Sequence, residues 1–122
     1  MILDDLPFGT FQEIEPNILE IIINEGVELD RDHIERIEEG LLEKYSGAYA
    51  LLIDWVNSYS HKHDSMEQVV RLQNVAAVAI VIYSEASGTA ANIHRLYMDN
   101  GQVFEDKARA MTWLRDVMKK SI

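Results

Sequence analysis

The chain has 122 residues, 48% of them apolar, which is enough for one domain with one core. It has no cysteine, which excludes disulfides, thiol catalysis and thiolate metal sites, and no apolar run approaches the ~20 residues of a membrane helix; a soluble, cytoplasmic protein is expected. Its net charge of −10 is concentrated in residues 1–47, where 13 Asp and Glu face three Lys and Arg, a field that repels phosphate backbones and lipid headgroups and argues against nucleic-acid binding and membrane insertion.

Residues 1–7 and 119–122 read as flexible ends of a single domain over 1–122. Phe8-Gly9-Thr10-Phe11-Gln12-Glu13-Ile14 alternates apolar and polar residues, the pattern of a half-buried edge strand. Pro16-Asn17 marks a turn, and Ile18 to Asn24 returns as a second strand, so the two are expected to pair as a hairpin. Asp30 or Asp32 is placed to cap a helix whose Ile34, Ile37, Leu41, Leu42 and Tyr45 form one stripe of a 3.6-residue period, with Gly47 as its C′ residue. Ala48 to Asp54 and Val75 to Tyr83 are apolar, rich in branched side chains and without alternation. Such runs are strands covered on both faces, which means parallel strands flanked by helices.

Between these strands, Trp55 to His63 reads as a polar connection, and Asp64 or Ser65 as the cap of a short helix carrying Val69, Val70 and Leu72, closed by Asn74. Ser84 to Thr89 leads into a helix over 90–97, Asn100-Gly101 is a turn, and Val103-Phe104 is a short last strand. Glu105-Asp106 is a capping pair for a final helix with Ala110, Trp113, Leu114 and Val117 on one face. Lys119 and Lys120 suit the negative end of its dipole. The expected fold is therefore α/β: a mixed, mostly parallel sheet with an antiparallel N-terminal edge strand, packed by about four helices.

The opening strands, Leu51-Leu52-Ile53-Asp54, Val78-Ala79-Ile80-Val81, and Val103-Phe104-Glu105-Asp106 followed by Ala110-Met111-Thr112-Trp113-Leu114 resemble the STAS domains, the anti-sigma-factor-antagonist or SpoIIAA-like fold. They are most similar to the small uncharacterised bacterial SpoIIAA-like proteins, over about residues 8 to 118. In switchable STAS domains a serine after an aspartate, at the start of the helix following the third strand, is phosphorylated by a partner kinase. The resemblance places Asp64-Ser65 there, with Ser65 as the phosphorylation candidate. Met66-Glu67 stand where the family has a second small residue and a glycine, and Glu67 would repel an added phosphate, so the reading from the residues is that Ser65 caps its helix.

Open α/β sheets place their chemistry at the carboxyl ends of the strands. The candidate edge there comprises Asp54, Trp55, Tyr59, His61, His63, Asp64, Ser65, Ser84, Ser87, Gly88 and Thr89. His61 and His63, two apart in an extended segment, would face one side with Asp64 as a third ligand, although Lys62 between them opposes a cation; a solvated loop is the expected state. Ser84 to Thr89 has the hydroxyls and free N–H groups to hold an anion but neither the glycine spacing nor the lysine of a P-loop. Asp54 ends a buried strand as a base, a ligand anchor or a turn acceptor, and Trp55, Tyr59 and Tyr97 read as packing, with an aromatic wall near the same edge as the alternative. No serine has a His and acid partner in the sequence, and no two carboxylates have a reason to meet. The reading is a non-enzymatic regulatory or protein-interaction domain without cofactor or metal. Its partner would be another protein, basic if it docks on the acidic segment, or a second copy as a homodimer. The rival is a module binding a small or apolar molecule in the same crevice.

Overall fold

The computed structural model describes residues 2–85 and 99–120; the helix expected over 90–97, and Ser87, Gly88 and Thr89, lie outside them. In chain order the strands and helices are β1 (Gly9–Glu15), β2 (Ile18–Ile23), β3 (Glu28–Leu29), α1 (Arg31–Lys44), β4 (Tyr49–Trp55), β5 (Ser60–His61), α2 (His63–Val69), β6 (Val75–Ile82), β7 (Gly101–Phe104) and α3 (Lys107–Lys120). The main sheet has the order β1-β2-β4-β6-β7. β1 is antiparallel to β2 and the other pairings are parallel. This is the mixed α/β sheet with an antiparallel edge that the patterning predicts, with three α-helices among the described residues.

Alternation assigns the two faces. Leu19, Ile21, Leu51, Val78 and Ile80 pack under α1 and α2, while Ile18, Ala50, Leu52, Ala79 and Val81 pack against Ala110, Met111 and Leu114 of α3. β4 and β6 are thus covered on both sides, which is why their sequences are apolar without a break. The small residues on the second face let α3 approach the sheet closely.

Several local expectations are corrected. Within the end over 1–7, Ile2–Asp5 forms a 3-10 turn, and Leu3 is buried at Gly40 of α1, where a Cβ would stand 2.5 Å from the Leu3 Cγ. Asp30, not Asp32, caps α1, accepting from the His33 N–H at 3.0 Å while His33 Nδ1 accepts from the Asp30 N–H. Leu42 lies outside the buried stripe. α1 stops at Tyr45 in extended backbone rather than at Gly47, because the Tyr45 phenol donates to Glu13 Oε2 at 2.7 Å and the ring stacks on Tyr49. That bond holds the Glu13 carboxyl below its usual range.

The connection from Trp55 to His63 is not simply polar loop. Ser60 and His61 form β5, which pairs in parallel with β3 as a second, two-stranded sheet. Helix α2 ends at Val69, so Val70 is exposed and Leu72 reaches the core from beyond the helix. Asn74 does not close it. With φ of 68° it turns the chain into β6, as Asn17, at 66°, turns β1 into β2; asparagine tolerates this left-handed region better than most residues.

Candidate functional site

The carboxyl ends of β2, β4 and β6 carry two separate groups of side chains, one on each face of the sheet. On the α3 face, Glu20 of β2 lies beside Leu52, so Asp54 follows two positions further along β4 on the same side. Both are buried, with 10% and 7% of their side-chain surface exposed. Lys107, the first residue of α3, brings its Nζ to 2.5 Å from Glu20 Oε2 and 3.7 Å from Asp54 Oδ2, and the Tyr83 hydroxyl donates to Asp54 Oδ1 at 2.6 Å.

Pairing with Glu20 raises the Lys107 pKa, and burial together with the Asp54 bond pushes Tyr83 up to about 12. Near neutral pH the ammonium and the phenol therefore keep their protons. Lys107 does not act as an amine nucleophile there, and Tyr83 is a donor to Asp54 rather than a base. The arrangement is an electrostatic clasp between the start of α3 and the sheet, with the carboxylates as acceptors.

The second group lies on the α1 and α2 face. Trp55 ends β4 fully packed, its ring stacked on Tyr59 with centroids 4.5 Å apart and 15° between planes. His61 packs near both rings, and its Nδ1 lies 2.9 Å from Ser65 Oγ. The Ser65 hydroxyl donates to the Lys62 carbonyl at 2.7 Å, and Ser65 is 0% exposed. Its proton is directed at a carbonyl, not at a base, so this His–Ser contact is not an activated nucleophile. Behind the group lies an apolar cavity of about 40 Å³, lined by Ile21, Ile34, Ile53, Tyr59, His61 and Val69 among others.

Other expected placements change accordingly. Ser65 does not cap α2. The N-cap is Lys62, without a side-chain bond, and Ser65 sits in the first turn pointing inward. His61 is not in a solvated loop, and it does not share a centre with His63. The i, i+2 alternation of an extended segment fails because β5 ends at His61 and α2 begins at His63, whose exposed ring lies 3.1 Å from Glu67 Oε1 on the outer side of the helix. Asp64 is partly buried in the first turn of α2. Among the described residues, no three His, Asp or Glu side chains gather on one point. Ser84 is exposed next to Tyr83.

Glu20 and Lys107 are the members that pattern reading misses. Glu20 is the lone charge inside Ile18-Leu19-Glu20-Ile21-Ile22-Ile23, and a buried carboxylate in such a run requires a cationic partner. Lys107 opens a helix, where its charge opposes the dipole. Together the two anomalies point at each other.

No family model and no curated protein matches the chain. Among solved structures it is similar to an uncharacterised protein of the DUF3478 family with a SpoIIAA-like fold from Shewanella loihica PV-4. The TM-score is 0.59 at 18% identity, covering 87% of this chain and 91% of that one. The chain has a SpoIIAA-like fold, as the motifs at its strand and helix ends imply. No helix among the described residues is long and apolar enough to cross a membrane.

Proposed function

We propose that this SpoIIAA-like domain is a non-enzymatic, STAS-type regulatory domain of the cytoplasm. It binds a protein partner through the rim from Val56 to His63, the exposed side of α2, and Tyr83 with Ser84. The observation that carries this reading is the size of the cavity behind the rim. Ligand sites occupy roughly 300–1,000 Å³, whereas this cavity holds about 40 Å³, room for a water molecule or two. Among the described residues, larger depressions of about 300 Å³ beside Lys44 and Gly47 and about 400 Å³ beside Thr112 and Trp113 lie away from this cavity. Tyr59, His61 and Ser65 are engaged in packing, while Val56 and Tyr83 stand out half-exposed at neighbouring strand ends, as anchors of a shallow contact would.

Exposed Val56 and Ser60 can be changed without disturbing the core. Val56→Arg and Ser60→Arg are expected to abolish capture of a defined partner in crosslinking while leaving the melting temperature within about 2 °C. The triple change of Glu35, Glu39 and Glu43 to glutamine, on the exposed face of α1, is expected to leave capture intact. Loss of capture only in the glutamine variant, strongest at low salt, would move the contact to the acidic face and a basic partner. A small molecule retained by the wild type in native mass spectrometry, and lost on filling the cavity with Ile53→Phe, would overturn the reading in favour of the ligand-binding rival.

A further inference from the structure

β1 is the outer strand of the main sheet, and among the described residues no strand pairs with its free side. Its ladder to β2 shows which groups point there. The Asn24 N–H donates to Phe8 O at 2.9 Å, and Phe8 continues the register that sets Gly9 against Ile23. In an antiparallel ladder bonded pairs alternate with unbonded ones, so Thr10 and Gln12 bond to β2 while Gly9, Phe11 and Glu13 turn their N–H and C=O groups outward. Those outward backbone groups have no hydrogen bond within the described residues.

Proteins blunt such an edge with charge, proline or a bulge. β1 does so over one half: the register slips between Glu13 and Glu15, Glu15 pairs with Arg115, and Pro16 follows the strand. The other half is open. From Leu6 to Gln12 the sequence has no charge, although the chain carries −10. Phe11 buries its ring in the core on the α1 side, so alternation puts Thr10 and Gln12 on the opposite face, where both are exposed.

We propose that this edge joins two copies of the chain, β1 against β1 in antiparallel, so that their sheets run on as one across a twofold axis. Only the odd-numbered positions offer bonds, and an axis through Phe11 uses all of them: Phe11 meets Phe11, and Gly9 of each copy meets Glu13 of the other. Between these pairs Thr10 of each copy stands beside Gln12 of the other, close enough for the side chains to hydrogen-bond. The acids stay apart. Glu13 faces a glycine, and the two Glu13 positions lie four residues apart along the pair, about 13 Å at ~3.3 Å per residue, beyond the ~8 Å screening length at physiological salt. The acidic charge that repels a second copy elsewhere in residues 1–47 is thus missing from a stretch that is complementary to itself. In the sheet β2 separates β1 from β4 and β6, whose ends form the rim, so this contact stands whether or not the rim binds a partner.

Sedimentation equilibrium on the full chain is expected to show the 14.0 kDa monomer passing into a dimer, and no further, as concentration rises from about 10 to about 500 μM near physiological salt. Two double variants test the register. Both carry Gln12→Lys, which lies opposite Glu20 within its own chain. With Thr10→Lys added, like charges face each other across the contact, and the dissociation constant should rise roughly tenfold or more; with Thr10→Glu added, opposite charges face each other, and the dimer should be at least as tight as the wild type's. If either variant fails to fold, amide exchange of the wild type at low and high concentration reads the same edge. Protection of the Gly9, Phe11 and Glu13 amides should rise with concentration, while that of Thr10 and Gln12, already bonded to β2, should not. A wild type that stays monomeric throughout, folded variants that dimerise equally or not at all, growth beyond the dimer as from β1 meeting the β7 edge of another copy, or protection at Gly9, Phe11 and Glu13 that ignores concentration would each overturn the proposal.

Discussion

Lys107→Met is expected to cost about 3 kcal/mol of stability, a drop of ~10 °C in melting temperature for a domain of this size. The substitution keeps the length and apolar stem of the side chain while removing the ammonium that lies between Glu20 and Asp54. Two carboxylates with about a tenth of their surface exposed would then face each other across neighbouring strands. The lysine itself is half-exposed, so water screens part of its charge, which sets the figure at the lower end for a broken buried pair. Adding Glu20→Gln should restore most of the loss, since the remaining Asp54 keeps the Tyr83 hydroxyl as donor. The sign with pH follows from the raised ammonium pKa: the wild type's advantage is present below about pH 10.5 and disappears as pH rises through the higher folded value. A Lys107→Met protein that melts with the wild type at pH 7 would show that the clasp contributes nothing.

The same clasp shows how far the sequence could be read. β2, β4 and β6 are legible because burial on both faces leaves an apolar signature that no loop has, and α1 and α3 because their stripes repeat every 3.6 residues. β3 and β5 are not, because two-residue strands carry no period. Their pairing is decided by backbone bonds to Val27 and Leu29, which no side-chain pattern encodes. Asp54 was findable as the polar end of a buried run. The clasp around it was not, because Glu20, Asp54 and Lys107 are far apart in the chain and meet only through strand register and the start of α3. The exposure of the segment from Trp55 to Ser65 is not legible in the sequence. Short β5 turns His61 inward, and the early start of α2 moves Ser65 from the cap into the core.

That last displacement decides the expected outcome of Ser65→Asp. As an N-cap, aspartate would replace serine at almost no cost, and as a phosphate mimic in a STAS-type switch it would weaken a partner complex without unfolding the domain. At the observed position neither holds. Ser65 is fully enclosed, and its oxygen lies 2.7 Å from the Lys62 carbonyl, to which it donates. A carboxylate there is longer, has no proton to give, and sets its charge against that carbonyl. One N–H from His61 does not offset the loss of water, so a cost of about 3–5 kcal/mol is expected, with α2 detached or the domain unfolded. Ser65→Ala, which removes only the hydroxyl and its two bonds, should cost about 1–3 kcal/mol. A kinase meets the same obstacle, because the hydroxyl becomes accessible only when the β5–α2 junction opens. Phosphorylation would then trap the open form rather than decorate the closed one. Thermal melting of both variants separates these possibilities. If Ser65→Asp melts with the wild type and loses only its partner, Ser65 faces outward in solution and the domain carries a surface switch of the STAS kind.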